Sequence, residues 1–214
     1  MQRPSGPWQE VHLLHHKEVA HPLRLELFST NLFGKQEQNA AVLGSITMNE
    51  AVALIESLKK ANATYGSSFD AEGVPGKAGK RLLLLTCMDS RIVPHAVFGL
   101  KEGDMKVVRN AGGQLNPEVM KDIVLASHVL DCECIVIMPH TRCAMASKSL
   151  AEIQGLLSEM SGKDFSTFTP RMITDASTKL AHDVAELQAH PLLKDGTTVH
   201  GAMYDVDTGL VQWT

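Results

Sequence analysis

Three short apolar runs, separated by longer periodic segments, set the hydrophobic pattern of this chain. They cover residues 81–86, 105–109 and 134–138. The first and third runs are almost continuously apolar, which is typical of a strand that is buried on both faces. These two runs therefore predict buried strands, and the second run predicts a further strand.

The segments around these runs carry helical signals. From residue 48 to 60, apolar positions recur at helical spacing, and Asn49 is a candidate N-cap. Asn116 is placed to cap a second helix, whose first turn contains Pro117. The remaining predictions are helices from about residue 144 to 160 and from Asp175 to about 187, and a loop over residues 63–80.

Strands that alternate with helices indicate an α/β fold with a mostly parallel central sheet flanked by helices. Residues 198–204 and 210–213 are two more candidate strands, so we expect an antiparallel edge strand near the C-terminus. Residues 1–45 contain prolines and histidines with weak periodicity, and we interpret them as an extended N-terminal arm. Residues 46–214 are expected to form one folded domain.

Composition places the chain among ordinary globular proteins. Of its 214 residues, 44% are hydrophobic and 21% are charged, and the formal net charge is -4. Because no long basic run is present, we expect neither nucleic acid nor an anionic membrane surface as a partner. No apolar run approaches the roughly 20 residues that span a bilayer, and no secretory signal is visible at the start.

The four cysteines do not form the pattern of a disulfide framework. In an intracellular chain, metal binding or catalysis is the better expectation for such cysteines. We therefore expect a soluble intracellular protein, in the cytoplasm or inside an organelle such as a chloroplast or mitochondrion. Cys132 and Cys134 lie at the start of a predicted strand and are interpreted as small core residues.

Two polar segments follow directly after predicted buried strands. Cys87, Asp89 and Arg91 come after the first strand, and His140 and Cys143 come after the third. Because ligand sites of open α/β sheets lie at the carboxyl ends of strands, these side chains are expected to meet at one edge. Two thiolates and one imidazole form a three-ligand set for Zn²⁺ with a fourth position free, which is typical of a catalytic site.

The same segments resemble the signature blocks of the β-class carbonic anhydrases, in particular the small bacterial members. The resemblance is carried by residues 87–91 (CMDSR), 109–113 (RNAGG) and 140–143 (HTRC), and it extends from about Tyr65 to the C-terminus. It implies a zinc enzyme that reversibly hydrates carbon dioxide to bicarbonate and a proton. It also implies a catalytic Asp–Arg pair and a homodimer or higher homo-oligomer.

In this family the two positions of the Asp–Arg pair correspond to Asp89 and Arg91, and the metal ligands to Cys87, His140 and Cys143. Two thiolates cancel the charge of the zinc ion, so its bound water needs help from the protein. Asp89 is expected to orient that water while Arg91 holds the carboxylate ionised. Without Arg91, Asp89 could become a fourth zinc ligand in a closed state.

The chain departs from the family pattern at two positions, Arg142 and Ala144. Arg142 brings a positive charge next to a ligand, and Ala144 would be strained if the backbone there required a positive φ. His95 is a candidate for proton transfer, although a packing role is the simpler interpretation. The histidines of the arm are interpreted as solvated or partner-facing, because adjacent His15 and His16 lack the spacing of a closed zinc site.

Two alternative functions stay open at this point. The same zinc centre could hydrolyse a linear analogue of carbon dioxide, such as carbon disulfide or carbonyl sulfide. The chain could instead be a structural subunit of a larger assembly, joined through residues 1–45. A purely structural role would not require the Asp89 and Arg91 pair, which favours an enzyme.

Overall fold

The computed structural model of the protein describes residues 46–214. The predicted arm, residues 1–45, lies outside the described residues, so its boundary stays a prediction. The chain divides into two compact units between Thr64 and Tyr65. Among the described residues, no helix has the length and apolar character needed to cross a bilayer.

Helix α1, Met48–Ser67, begins one residue before the predicted cap. Thr47, not Asn49, caps it: the Thr47 hydroxyl accepts from the Glu50 amide at 3.2 Å, and the Glu50 carboxylate accepts from the Thr47 amide at 2.8 Å. This reciprocal pair is a capping box, which satisfies two backbone donors at the helix start.

The sheet contains five strands in the order β2-β1-β3-β4-β5. The first four strands in this order are parallel, and β5 pairs antiparallel with β4. The α/β fold, its mostly parallel sheet and its antiparallel edge strand are thereby confirmed. The strands are β1 Leu82–Cys87, β2 Met105–Asn110, β3 Cys134–Met138, β4 Thr198–Tyr204 and β5 Val211–Trp213.

Five helices follow in the second unit, and one difference from the prediction has a clear cause. The helix expected over residues 144–160 is two helices, because Ser149 forms a capping box with Glu152 and starts a new one. Short helix α2, which begins at Pro94, was not predicted. The helices are α2 Pro94–Phe98, α3 Pro117–Val129, α4 Ala144–Ser147, α5 Leu150–Ser161 and α6 Ala176–Gln188.

The sheet separates two buried cores. On one face, Leu83 and Leu85 of β1 pack with α3 and α6, and Cys132 lies in this core as predicted. On the other face, Leu84 packs in a second core that also contains Cys87 and Cys143. Because β1 is buried on both faces, its apolar residues are consecutive and do not alternate with polar ones.

Candidate metal centre

The ends of two neighbouring parallel strands place the predicted ligands together. Cys87 is the last residue of β1, His140 lies two residues beyond β3, and Cys143 precedes the first residue of α4. β1 and β3 pair in register, with Leu82 opposite Cys134, so both chains leave the sheet at the same edge. Their ligand atoms lie within 4.8 Å of one another, and all three residues are buried.

A hydrogen bond to one ring nitrogen orients the imidazole of His140, and the other ring nitrogen has no hydrogen-bond partner among the described residues. Its Nδ1 lies 2.8 Å from the carbonyl oxygen of Thr141, which fixes the proton on Nδ1 and leaves Nε2 as an acceptor. Nε2 is buried and makes no hydrogen bond in the described part of the chain. A buried polar atom without a partner costs roughly 1–3 kcal/mol. This nitrogen therefore fits a metal ligand.

The two cysteines are free thiols beside this nitrogen. A hydrogen bond with Cys143 lowers the pKa of Cys87, assisted by His140 and by the Gly112 amide, whose nitrogen lies 3.3 Å from the Cys87 sulfur. The same contact raises the pKa of Cys143, and burial of the thiol adds to this. Two thiols and an imidazole at this separation are a suitable donor set for a divalent ion such as Zn²⁺.

Asp89 is held by Arg91 at the mouth of this cluster. The guanidinium donates from Nε to Oδ1 at 2.9 Å and from Nη2 to Oδ2 at 2.7 Å. These bonds hold the pKa of the Asp89 carboxyl well below its usual range. Asp89 Oδ2 lies 3.8 Å from His140 Nε2, so an ionised carboxylate lies beside the ligands while it is paired with Arg91.

Arg109 fixes the end of β1, a role that the sequence pattern did not reveal. Its Nε donates to the carbonyl oxygen of Cys87 at 2.8 Å, and its Nη2 donates to that of Asp89 at 2.6 Å. Thr86 of β1 lies opposite Arg109 of β2, so the register between the two strands brings this side chain to the site. Arg109 therefore orients both the first cysteine and the carboxylate.

A glycine turn packs directly against the same strand end. Gly113 has φ +64°, and a Cβ atom there would lie 2.8 Å from the Cys87 nitrogen and 2.9 Å from the carbonyl carbon of Thr86. Both contacts are with backbone, which cannot rotate away. The turn therefore requires glycine both for its backbone conformation and for space.

The two departures from the family pattern have different outcomes. Ala144 is the first residue of α4 and has no positive φ, so the strain considered for it does not arise. The positive φ belongs instead to Arg142, at +54°. Its guanidinium forms an ion pair with Asp207 at the protein surface. His95 lies half-buried on α2, and its role in proton transfer stays a prediction.

Comparison with known proteins gives a consistent result. A family model described as carbonic anhydrase matches residues 82–211. The chain is 26% identical over 148 residues to Beta-carbonic anhydrase 1 of Mycobacterium tuberculosis, which covers 69% of this chain and 90% of that protein. It is 28% identical over 156 residues to a carbon disulfide hydrolase of Acidithiobacillus thiooxidans, which covers 64% of this chain and 77% of that protein.

The fold has a close counterpart among solved structures. The carbonic anhydrase of Streptococcus mutans superposes with a TM-score of 0.68 at 31% sequence identity. The superposition covers 74% of this chain and 96% of that protein. The part of the chain that carries the metal-ligand cluster thus lies within the matched region of the family model.

Proposed function

Because the chain belongs to the β-class carbonic anhydrase family of enzymes, we propose that it reversibly hydrates carbon dioxide to bicarbonate and a proton. We propose a zinc ion as its cofactor, with Cys87, His140 and Cys143 as ligands. The observation that supports this most directly is the buried Nε2 of His140, which has no hydrogen-bond partner among residues 46–214, in an imidazole whose ligand atom lies within 4.8 Å of both sulfurs.

A zinc ion held by Cys87, His140 and Cys143 would supply a water that is activated near neutral pH. The chain's own residues position that reaction. Asp89 accepts a hydrogen bond from the reacting water, and Arg91 keeps the carboxylate ionised and turned toward itself. For Asp89 to become a fourth ligand in a closed state, its two side-chain hydrogen bonds to Arg91 would have to break.

Arg109 and Gly112 act on the ligands. Arg109 holds the backbone carbonyls on either side of Met88, so Cys87 and Asp89 keep a fixed separation. The Gly112 amide donates to the Cys87 sulfur, which would reduce the negative charge that this sulfur delivers to a bound ion. This contact would favour ionisation of a metal-bound water at lower pH.

The test is zinc analysis of the purified protein together with stopped-flow measurement of carbon dioxide hydration. We expect one zinc per chain, hydration well above the uncatalysed rate, and loss of both after treatment with a chelator. Protein without zinc, or zinc-loaded protein without hydration, would contradict the proposal.

A second substrate has specific support, because one of the relatives is a carbon disulfide hydrolase. The zinc centre would be the same, and access to the pocket would decide between the substrates. Rates on carbon dioxide, carbonyl sulfide and carbon disulfide, measured on one zinc-loaded preparation, distinguish them. We expect carbon dioxide to be the fastest.

We also propose that the protein is a homodimer or a higher homo-oligomer, as the family resemblance implies. A role of residues 1–45 in larger assembly stays a prediction, because these residues lie outside the described part of the chain. Light scattering coupled to size exclusion, on the chain with and without residues 1–45, measures the oligomeric state and the contribution of these residues to it. A monomer in both samples would contradict the proposed oligomer.

A further inference from the structure

Asp183 is a buried carboxylate on α6 whose position needs an explanation. It lies on the same helix as Leu180 and Leu187, which pack in the first core, and it is almost fully buried itself. A carboxylate removed from water costs several kcal/mol unless it is paired and hydrogen-bonded. Both oxygens are engaged: Oδ1 pairs with the Lys179 ammonium one helical turn away, and Oδ2 accepts from the Leu115 amide at 3.0 Å.

Leu115 closes the turn that touches the candidate metal centre. The turn starts at Asn110, whose side chain accepts from the Gln114 amide at 2.8 Å and donates to the Gln114 carbonyl at 2.7 Å. Between these anchors, Gly112 donates to the Cys87 sulfur and Gly113 packs on the Cys87 backbone. The Asp183 carboxylate therefore fixes the far end of a turn whose middle contacts a ligand.

We propose that Asp183 is a positioning residue for the metal centre. By holding Leu115 in place, it keeps the Gly112 amide directed at the Cys87 sulfur, and it touches none of the three ligands itself. The inference rests on the proposed function, since the direction of that amide matters only if Cys87 binds a metal.

The same residue also belongs to a second group of metal-ligating side chains, with His182 and Glu186. The ligand atoms of this group lie within 4.8 Å of one another. However, the two Asp183 oxygens are already bonded to the Lys179 ammonium and the Leu115 amide. A cation beside Lys179 would meet a like charge, so we assign the carboxylate to anchoring the turn and not to a second ion.

The test compares Asp183→Leu, which has a similar size and no acceptor for the Leu115 amide, with Asp175→Ala, using Co²⁺ as the probe metal. Asp175 caps the same helix by accepting from the Thr178 amide at 2.6 Å, and it makes no hydrogen bond to the turn. Its removal weakens α6 and is the control for a purely structural effect. Co²⁺ affinity is measured against a competing chelator, and the thiolate-to-cobalt absorption reports the state of the Cys87 sulfur.

We expect Asp183→Leu to weaken Co²⁺ binding about tenfold, as loss of a group that orients a ligand does. We also expect its thiolate-to-cobalt band to shift. The Asp175→Ala variant should melt at a lower temperature and keep both the affinity and the band of the unmodified protein. Equal Co²⁺ affinity and an unchanged band in the Asp183 variant would overturn the inference.

Asp183→Ala decides the question if the Asp183→Leu variant does not fold. This change also removes the acceptor of the Leu115 amide and adds no bulk, so a shift of the same band is expected. An unchanged band and affinity would again overturn the inference. Failure of the unmodified chain to bind Co²⁺ or Zn²⁺ would refute the proposed function itself, and the inference with it.

Discussion

Replacement of Gly113 by alanine tests whether the glycine turn supports the metal centre. The Cβ atom would be placed 2.8 Å from the Cys87 nitrogen, 2.9 Å from the Thr86 carbonyl carbon and 3.1 Å from the Thr86 Cα. All three neighbours are backbone atoms of β1, an inner strand of the sheet. Relief of the contacts requires movement of the strand end that carries Cys87.

Gly162→Ala is the matched control. Gly162 follows α5 with φ +67°, close to the +64° of Gly113, and a Cβ atom there meets nothing within 4 Å. Both variants incur the cost of a left-handed alanine, about 1–2 kcal/mol. Both gain the same small benefit from a less flexible unfolded chain, about 0.4–1 kcal/mol. These effects cancel when the two variants are compared.

The difference between the variants is therefore the steric contact at Gly113. Overpacking of this kind costs about 1–3 kcal/mol. With roughly 2–4 °C per kcal/mol for a chain of this size, a 2 kcal/mol difference lowers the melting temperature by about 4–8 °C relative to Gly162→Ala. Circular dichroism melts at equal protein and zinc concentrations measure it. Equal melting temperatures in the two variants would refute the reasoning.

The remaining predictions concern the ligands and their neighbours. Cys143→Ser should lose bound zinc, whereas the control variant Cys132→Ser should retain it. Elemental analysis measures the zinc content of both variants. One zinc per chain in Cys143→Ser would mean that Cys143 is not a ligand. Asp89→Ala should keep zinc, and its hydration rate should fall about 10²- to 10⁴-fold. Arg91→Ala should show a smaller fall in the same rate. A near-normal stopped-flow rate in either variant would contradict the proposed role of the Asp89–Arg91 pair. Arg142→Asn should melt about 2–4 °C above Arg142→Ala, because asparagine tolerates the left-handed conformation; equal melts would show that the +54° φ stores no strain.

The sheet was predictable because its inner strands carry an unambiguous signal. Four consecutive leucines in β1 and the run of β3 are buried on both faces, so the pattern needs no knowledge of neighbouring segments. The division of α4 from α5 was missed because apolar positions recur on both sides of Lys148. Ser149 and Glu152 have the spacing of a capping box, and this signal for a new helix outweighs the continuous apolar pattern.

At the candidate site, residues that are close in sequence could also be predicted, whereas contacts between distant segments could not. Cys87, Asp89 and Arg91 were identifiable because they are close in sequence and follow one strand. The contribution of Arg109 depends on the register between β1 and β2. That of Asp183 depends on how α6 packs under the glycine turn. Neither of these contacts follows from spacing along the chain, so the sequence could not assign them.

The two ligand-bearing segments are held by different parts of the fold, and this affects how the metal would be released. The segment after β1 is fixed by Arg109 of β2, a six-residue strand at the opposite end of the strand order. The segment after β3 depends on the chain's end: the Thr141 amide donates to the Tyr204 carbonyl at 2.9 Å, and the Thr141 hydroxyl accepts from the Val206 amide at 3.1 Å. Because β5 has three residues and β2 has six, local opening is easier at the β5 end of the sheet than at the β2 end. Opening of this end would loosen His140 and its neighbouring cysteine while Cys87 stayed in place, so metal loss should begin on the histidine side.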